Sequence, residues 1–160
     1  MYKKYRFFAF IPMLCMMSVI WGFSANNGEV SSNQSQGIIE RTIAAVEEVF
    51  GVEWTDEQKN VIAERIHTPL RKCAHVTEYM VFAITTIFPL SLYVRSRKKL
   101  VLWTFVYCVL YAGIDELHQR FVPHRSGQFK DVCIDAIGIV IGIMVFLFVR
   151  KKVTDRKSVV

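Results

Sequence analysis

An eleven-residue stretch of this 160-residue chain carries a dense group of side chains that could do chemistry. Residues 115–125 contain two acids, two imidazoles, an amide and two guanidinium groups, and they directly follow residues 100–114, which carry no charge. At the centre of a bilayer a single charge costs about 2.5–3.5 kcal/mol by insertion scales, and less near the edge. These polar side chains therefore need partners from elsewhere in the chain.

Helical geometry arranges the polar residues of the chain into stripes. With 100° of rotation per residue, side chains three and four positions apart share a helix face. Two such faces are formed by Arg71, His75 and Glu78, and by Asp115, His118 and Gln119. A third stripe contains Asp131, Asp135, Gly138 and Gly142. Because glycines allow a neighbouring helix to approach closely, we expect the two acids of this stripe to point inward.

One interpretation of these stripes is a binding site at the outer end of a helix bundle. Guanidinium groups recognise phosphate and carboxylate groups well, so the basic residues would clamp an anion and the acids would orient them. The candidate substrate-binding residues are Arg71, Lys72, Gln119, Arg125, Asp131 and Asp135. The ligand would be an anionic group, such as that of a lipid headgroup.

The alternative interpretation is a membrane-embedded enzyme. An imidazole would act as general base, and a carboxyl group would orient it or act as the acid. The candidate catalytic residues are His75, Glu78, Asp115, Glu116 and His118. Oxygen and imidazole ligands could also hold a divalent metal, but no His-x-x-x-His pair lies on one helix, so any metal or cofactor stays open.

Two further interpretations are a purely structural network and a proton-coupled transporter. An ion-pair and hydrogen-bond network would only set the register of the helices. A proton-coupled transporter would need alternating access, for which four spans without an internal repeat offer little.

The hydropathy pattern predicts the elements that must position these groups. A bilayer-spanning helix needs about 20 mostly apolar residues, and 52% of this chain is hydrophobic. The apolar blocks predict four spans, over residues 7–23, 69–94, 100–119 and 132–149.

The basic residues indicate the orientation of these spans. They cluster before the first span, between the second and third, and after the fourth, which are positions on one side of the bilayer. The positive-inside rule places this side, with both termini, in the cytoplasm. The net charge of +6 therefore indicates a cytosolic rim attracted to anionic lipid, and not nucleic-acid binding. Residues 1–25 could instead be a cleaved signal peptide, although Phe23 stands where a small residue belongs.

The segment between the first two spans is acidic and contains signals for two short helices. A polar linker over residues 31–36 precedes an apolar stripe of helical spacing. This stripe consists of Ile39, Ile43, Val46 and Phe50. Gly51 is the expected stop, and Thr55 with Gln58 forms a capping box that begins a second helix. Thr68 would then cap the second span, with Pro69 at its first helical position.

The predicted fold is an all-α membrane protein. It is a four-transmembrane-helix bundle with two short amphipathic helices, in the first extracytoplasmic segment, that lie on the membrane surface or lid the bundle. We place the first span in residues 1–24 and the extracytoplasmic segment in 25–68. Residues 69–150 form a core with three spans, and 151–160 form a basic cytoplasmic tail.

The polar stripes, taken in order along the chain, resemble the VanZ-like family, whose founding member is a teicoplanin-resistance protein. The matching runs are Arg71-Lys72-x-Ala74-His75-x-x-Glu78-Tyr79, Asp115-Glu116-x-His118-Gln119-x-Phe121-x-Pro123-x-Arg125 and Asp131-x-x-x-Asp135-x-x-Gly138-x-x-x-Gly142. One departure is His124, expected to be exposed on a turn, where the family commonly has glycine. The resemblance implies a multi-pass protein of the bacterial envelope linked to lowered susceptibility to lipoglycopeptides. It implies no agreed reaction. With this resemblance, a lipid-linked wall precursor or the antibiotic becomes a further candidate ligand of the outer polar site.

Overall fold

The computed structural model of the chain describes residues 2–26, 28–123, 125 and 127–157. A 3₁₀ helix over Tyr2–Phe10 leads into α1, Ile11–Ala25. The remaining helices are α2 (Gly28–Phe50), α3 (Asp56–Leu90), α4 (Arg97–Gln119) and α5 (Phe129–Lys157). Within these ranges there is no strand, which confirms the predicted all-α fold.

Four helical segments are long and apolar enough to cross a membrane, as predicted. They are Tyr5–Ala25, Asp56–Leu90, Arg97–Gln119 and Phe129–Thr154. The central helix is α3, which packs against α1, α2, α4 and α5. Its residues Tyr79, Phe82, Ala83 and Ile87 are fully buried in the core.

The predicted glycine stripe is the place where α5 meets α3. A Cβ atom added at Gly138 would overlap the carbonyl oxygen of Val76, and one added at Gly142 would overlap that of Met80. No larger side chain fits between the two backbones at this distance. The stripe on α5 therefore faces α3, as the small-residue pattern predicts.

The prediction of two short amphipathic helices is only partly right. Gly51, with a φ of 63°, ends the first helix, and the capping box of Thr55 and Gln58 is present. The second helix, however, is not separate, because α3 continues for 35 residues from Asp56 through the span. The expected start at Thr68 and Pro69 is therefore wrong. Pro69 only removes the hydrogen bond to the carbonyl of Arg65, and water can solvate that carbonyl because Arg65 is exposed.

The expected polar linker over residues 31–36 is also wrong, because α2 is helical from Gly28. Ile39 and Ile43 are buried where α2 packs along α3, and this packing favours a longer helix than local propensity does. Phe50, expected on the apolar stripe, is instead 72% exposed.

At 1.5 Å per residue, the 35 residues of α3 exceed the roughly 30 Å hydrocarbon core by about 20 Å. The α2–α3 hairpin therefore projects beyond the span, and we call this end of the bundle the hairpin end.

The turn of the hairpin is held by Glu47. Its carboxylate accepts the backbone N–H of Trp54 at 2.9 Å and lies 2.9 Å from Nζ of Lys59. The Trp54 hydrogen bond first, and Lys59 second, lower the pKa of Glu47 below its ordinary value. A lowered folded-state pKa means that this support is complete above the unfolded pKa and is lost as the pH falls through the folded pKa.

We therefore expect the hairpin turn to loosen only in acid, below the unfolded glutamate pKa of about 4.3. The amide chemical shift of Trp54, followed by NMR from pH 7 to pH 2, should show a transition with its midpoint below that value. Glu47→Gln should remove the transition, whereas Glu48→Gln, on the neighbouring residue, should leave it unchanged. A midpoint at or above 4.3 would contradict this account of the turn.

Candidate functional site

Predicted site residues from α3 and the α4–α5 loop meet at a cavity of about 240 Å³ at the hairpin end. Arg71, His75, Glu78 and Arg125 all line it. The three α3 residues form one stripe, as the helical spacing requires. The rest of the wall comes from the end of α1, from Leu70 and Ala74 in the middle of α3, and from α2 through Ile38.

Arg125 interacts electrostatically with several charged residues at this end of the bundle. Its Nη2 donates a hydrogen bond of 2.8 Å to the carbonyl of Phe23, which ties the α4–α5 loop to α1. Burial, and then the nearby charge of Arg71, lower the pKa of Arg125, and the carboxylates of Asp115, Glu116 and Glu78 oppose that change. Two guanidinium groups on one cavity are therefore close enough to repel each other.

Asp115 joins three helices and does not line the cavity. It is 1% exposed, and its Oδ2 accepts hydrogen bonds from Ser24 at 2.7 Å, Gln119 at 3.0 Å and Tyr79 at 3.3 Å. Nε2 of Gln119 also donates to Oγ of Ser24 at 3.1 Å. This arrangement gives Asp115 and Gln119 a positioning role between α1, α3 and α4.

His75 connects the cavity to a buried acid of α5. Its Nδ1 lies 3.7 Å from Oδ1 of Asp135, which is within ion-pair distance but beyond a hydrogen bond. Asp135 is fully buried, and in the described part of the chain neither of its carboxylate oxygens has a hydrogen-bond partner. Asp131 is half-buried one turn before Asp135 on α5, and it is near enough to interact electrostatically with His75. A histidine with a carboxylate behind it and a cavity in front is an arrangement that can move protons.

Glu116 faces the α4–α5 loop. Its Oε2 accepts the backbone N–H of Gln128 at 3.1 Å, and its Oε1 has no hydrogen-bond partner among the described residues. The side chain does not line the cavity, but its charge acts on Arg125.

Two further predicted site residues, Lys72 and His118, also lie away from the cavity. Lys72 is exposed on α3 and is not part of the cavity wall. His118 stacks on Trp21 of α1, with ring centroids 4.1 Å apart and an angle of 25° between the planes. The shared face of Asp115 and His118 therefore meets α1. His124, the remaining imidazole of the motif, lies outside the described residues.

Sequence reasoning missed Ser24 and Tyr79 as partners of Asp115, and Trp21 as the partner of His118. Ser24 is the first polar residue after the predicted first span, which is a weak signal for a buried hydrogen bond. Its bond to Asp115 joins residues 91 positions apart, and no local pattern encodes that pairing. Among the described residues, no three His, Cys, Asp or Glu side chains come together in a way that could hold a metal ion.

Of three comparisons with known proteins, one finds a match. No curated protein and no solved structure matches the chain. The sequence model of one family, described as VanZ/LLP1, matches residues 8–150, which include most of each span and every residue of the site. The chain therefore belongs to the VanZ/LLP1 family of multi-pass membrane proteins.

Proposed function

We propose that this protein lowers the susceptibility of a bacterial cell to glycopeptide or lipoglycopeptide antibiotics such as teicoplanin. It does so by binding an anionic lipid, a wall precursor or the antibiotic in the cavity at the hairpin end. In this proposal both termini are cytoplasmic, so the hairpin end faces the outside, as the distribution of basic residues favours. Membership of the VanZ/LLP1 family is consistent with such a role.

The observation that carries the proposal is the pair of guanidinium groups, Arg71 and Arg125, on one cavity. Their mutual repulsion is relieved when an anion lies between them, and guanidinium groups bind phosphate and carboxylate with two parallel hydrogen bonds. Drug-sized ligands occupy pockets of about 300–1,000 Å³. A cavity of about 240 Å³ therefore holds the charged group of a ligand, and the remainder of that ligand lies outside it.

Arginine-to-lysine substitutions test the clamp because a lysine keeps the charge but loses the bidentate geometry. We expect Arg71→Lys and Arg125→Lys to abolish the protection that the protein confers against teicoplanin, while His75→Gln keeps most of it. Arg65→Lys, an exposed change on the same helix and outside the cavity, is the matched control. The measurement is the minimal inhibitory concentration of teicoplanin in a gene-deletion strain that expresses each variant, with membrane abundance determined in parallel.

The pair formed by His75 and Asp135 favours a second candidate function, a membrane enzyme that modifies a lipid-linked envelope substrate. His75 lies on the cavity wall with its carboxylate partner behind it, and Glu78 lies on the same wall and could act as acid. In that case His75→Gln would abolish protection and Arg71→Lys would keep part of it. The wall-precursor or lipid profile would also differ between the deletion strain and the complemented strain. The enzyme would be excluded if these profiles were unchanged and if the arginine variants, but not His75→Gln, lost the protection.

A further inference from the structure

A second cavity lies outside the arginine-lined site, in a groove of about 520 Å³ between α4 and the start of α5. We call it the α4–α5 groove. Its apolar wall includes Leu110, Ile114, Leu117 and Phe129. Arg71, His75, Glu78 and Arg125 have no part in it, so the groove is distinct from the site of the proposed function.

The groove has the direction and length of one lipid chain. It extends along α4 from Val109 to Arg120, which are eleven helical steps apart, or about 16 Å at 1.5 Å per residue. That length is about half of the roughly 30 Å hydrocarbon core of a bilayer. Leu110, Ile114 and Leu117 are exposed on the membrane-spanning helix α4, and Arg120 lies at the end near the α4–α5 loop. The groove therefore leads from the membrane surface towards the midplane.

The polar end of the groove offers one cation and one carboxyl group. Nε of Arg120 donates a hydrogen bond of 3.2 Å to the carbonyl of Gly127, which orients the guanidinium and leaves its two terminal nitrogens outside this bond. Glu116 also lines the groove, and its Oε1 lacks a hydrogen-bond partner in the described part of the chain. A headgroup with a phosphate and a primary ammonium complements both charges. A choline headgroup has no N–H to donate to a carboxylate, and a glycerol headgroup has no positive charge.

We propose that the α4–α5 groove binds a single phospholipid of the ethanolamine type. Its phosphate contacts Arg120, its ammonium contacts Glu116, and one acyl chain lies along Leu110 and Ile114. This site is independent of the arginine-lined cavity, so each of the two proposals can fail without the other.

Gly113 provides a direct way to fill the groove. It lines the groove, and a Cβ atom added there would meet nothing within 4 Å. Gly113→Trp therefore adds an indole ring to the groove from a position where its Cβ meets no other atom. Gly22→Trp is the matched control, since Gly22 also has open space around it and lies on α1, outside the groove.

The test uses the full-length protein in lipid nanodiscs that contain a trace of photoreactive phosphatidylethanolamine, with labelled peptides mapped by mass spectrometry. We expect labelling of residues 109–132 to fall about ten-fold in Gly113→Trp, which corresponds to about 1.4 kcal/mol, and to stay unchanged in Gly22→Trp. Equal labelling of the wild type and Gly113→Trp would overturn the proposal, because the label would then report only lipid that surrounds the whole protein.

Competition identifies the headgroup. Unlabelled phosphatidylethanolamine should compete about ten-fold better than phosphatidylcholine or phosphatidylglycerol, and Glu116→Gln should remove this preference, because only the ammonium headgroup is recognised by that carboxylate. Equal competition by the three lipids, or the strongest competition by phosphatidylglycerol, would overturn the assignment. Arg120→Gln should lower the labelling of residues 109–132, because it removes the phosphate contact. Arg120 is exposed, so this variant keeps the test valid if Gly113→Trp does not fold.

Discussion

Replacing Gly138 with leucine should lower the free energy of unfolding by about 3 kcal/mol, the upper end of what overpacking usually costs. The Cβ of any larger residue would overlap the carbonyl oxygen of Val76, which belongs to the backbone of α3 and cannot rotate away. The two helices would have to separate. His75 and Asp135 face each other across the same contact, so the cavity should widen as well.

The control for this prediction is Gly22→Leu, which adds the same side chain where nothing lies within 4 Å. We expect it to leave the melting temperature in detergent unchanged, while Gly138→Leu lowers both the melting temperature and the amount of protein in the membrane. Equal melting temperatures for the two variants would show that α3 and α5 are not in backbone contact at this point.

Replacing Asp115 with alanine should lower the free energy of unfolding by about 2–4 kcal/mol, because three buried donors lose a shared acceptor. Ser24, Tyr79 and Gln119 all donate to the same oxygen of Asp115. Hydrogen bonds between helices in membranes contribute about 0.6 kcal/mol on average, so the expected loss is smaller than for three such bonds in a water-soluble core. Asp115→Asn keeps an oxygen acceptor and should cost less.

The matched variant is Ser24→Ala, which removes one donor of the three and should cost about 1 kcal/mol. Thermal unfolding in detergent measures the stability, and the protection against teicoplanin per folded molecule measures the function. A positioning role for Asp115 predicts that its variants lose protein in the membrane but keep the protection that each folded molecule confers. Full abundance of Asp115→Ala with no protection would instead assign Asp115 a direct part in the function.

The parts of the fold that the sequence predicts correctly depend on local rules. The apolar blocks predict the four spans because a bilayer demands a minimum apolar length. The capping box at Thr55 and the stop at Gly51 follow from hydrogen bonds and dihedral angles within a few residues. The stripes follow from the rotation per residue, which is why Arg71, His75 and Glu78 line one cavity and Gly138 faces α3.

The tertiary structure alone decided which stripe meets which neighbour. Asp115 and His118 lie on one face, but that face meets α1, where Ser24 and Trp21 receive them, and not the cavity. Local rules also fail to predict that α3 continues through Pro69 and that α2 is so long. Packing between α2 and α3 offsets the weak helix propensity of α2, and water solvates the carbonyl that Pro69 leaves without a partner. Rotation per residue determines which side chains share a face of a helix, whereas contacts between residues about ninety positions apart determine what that face touches.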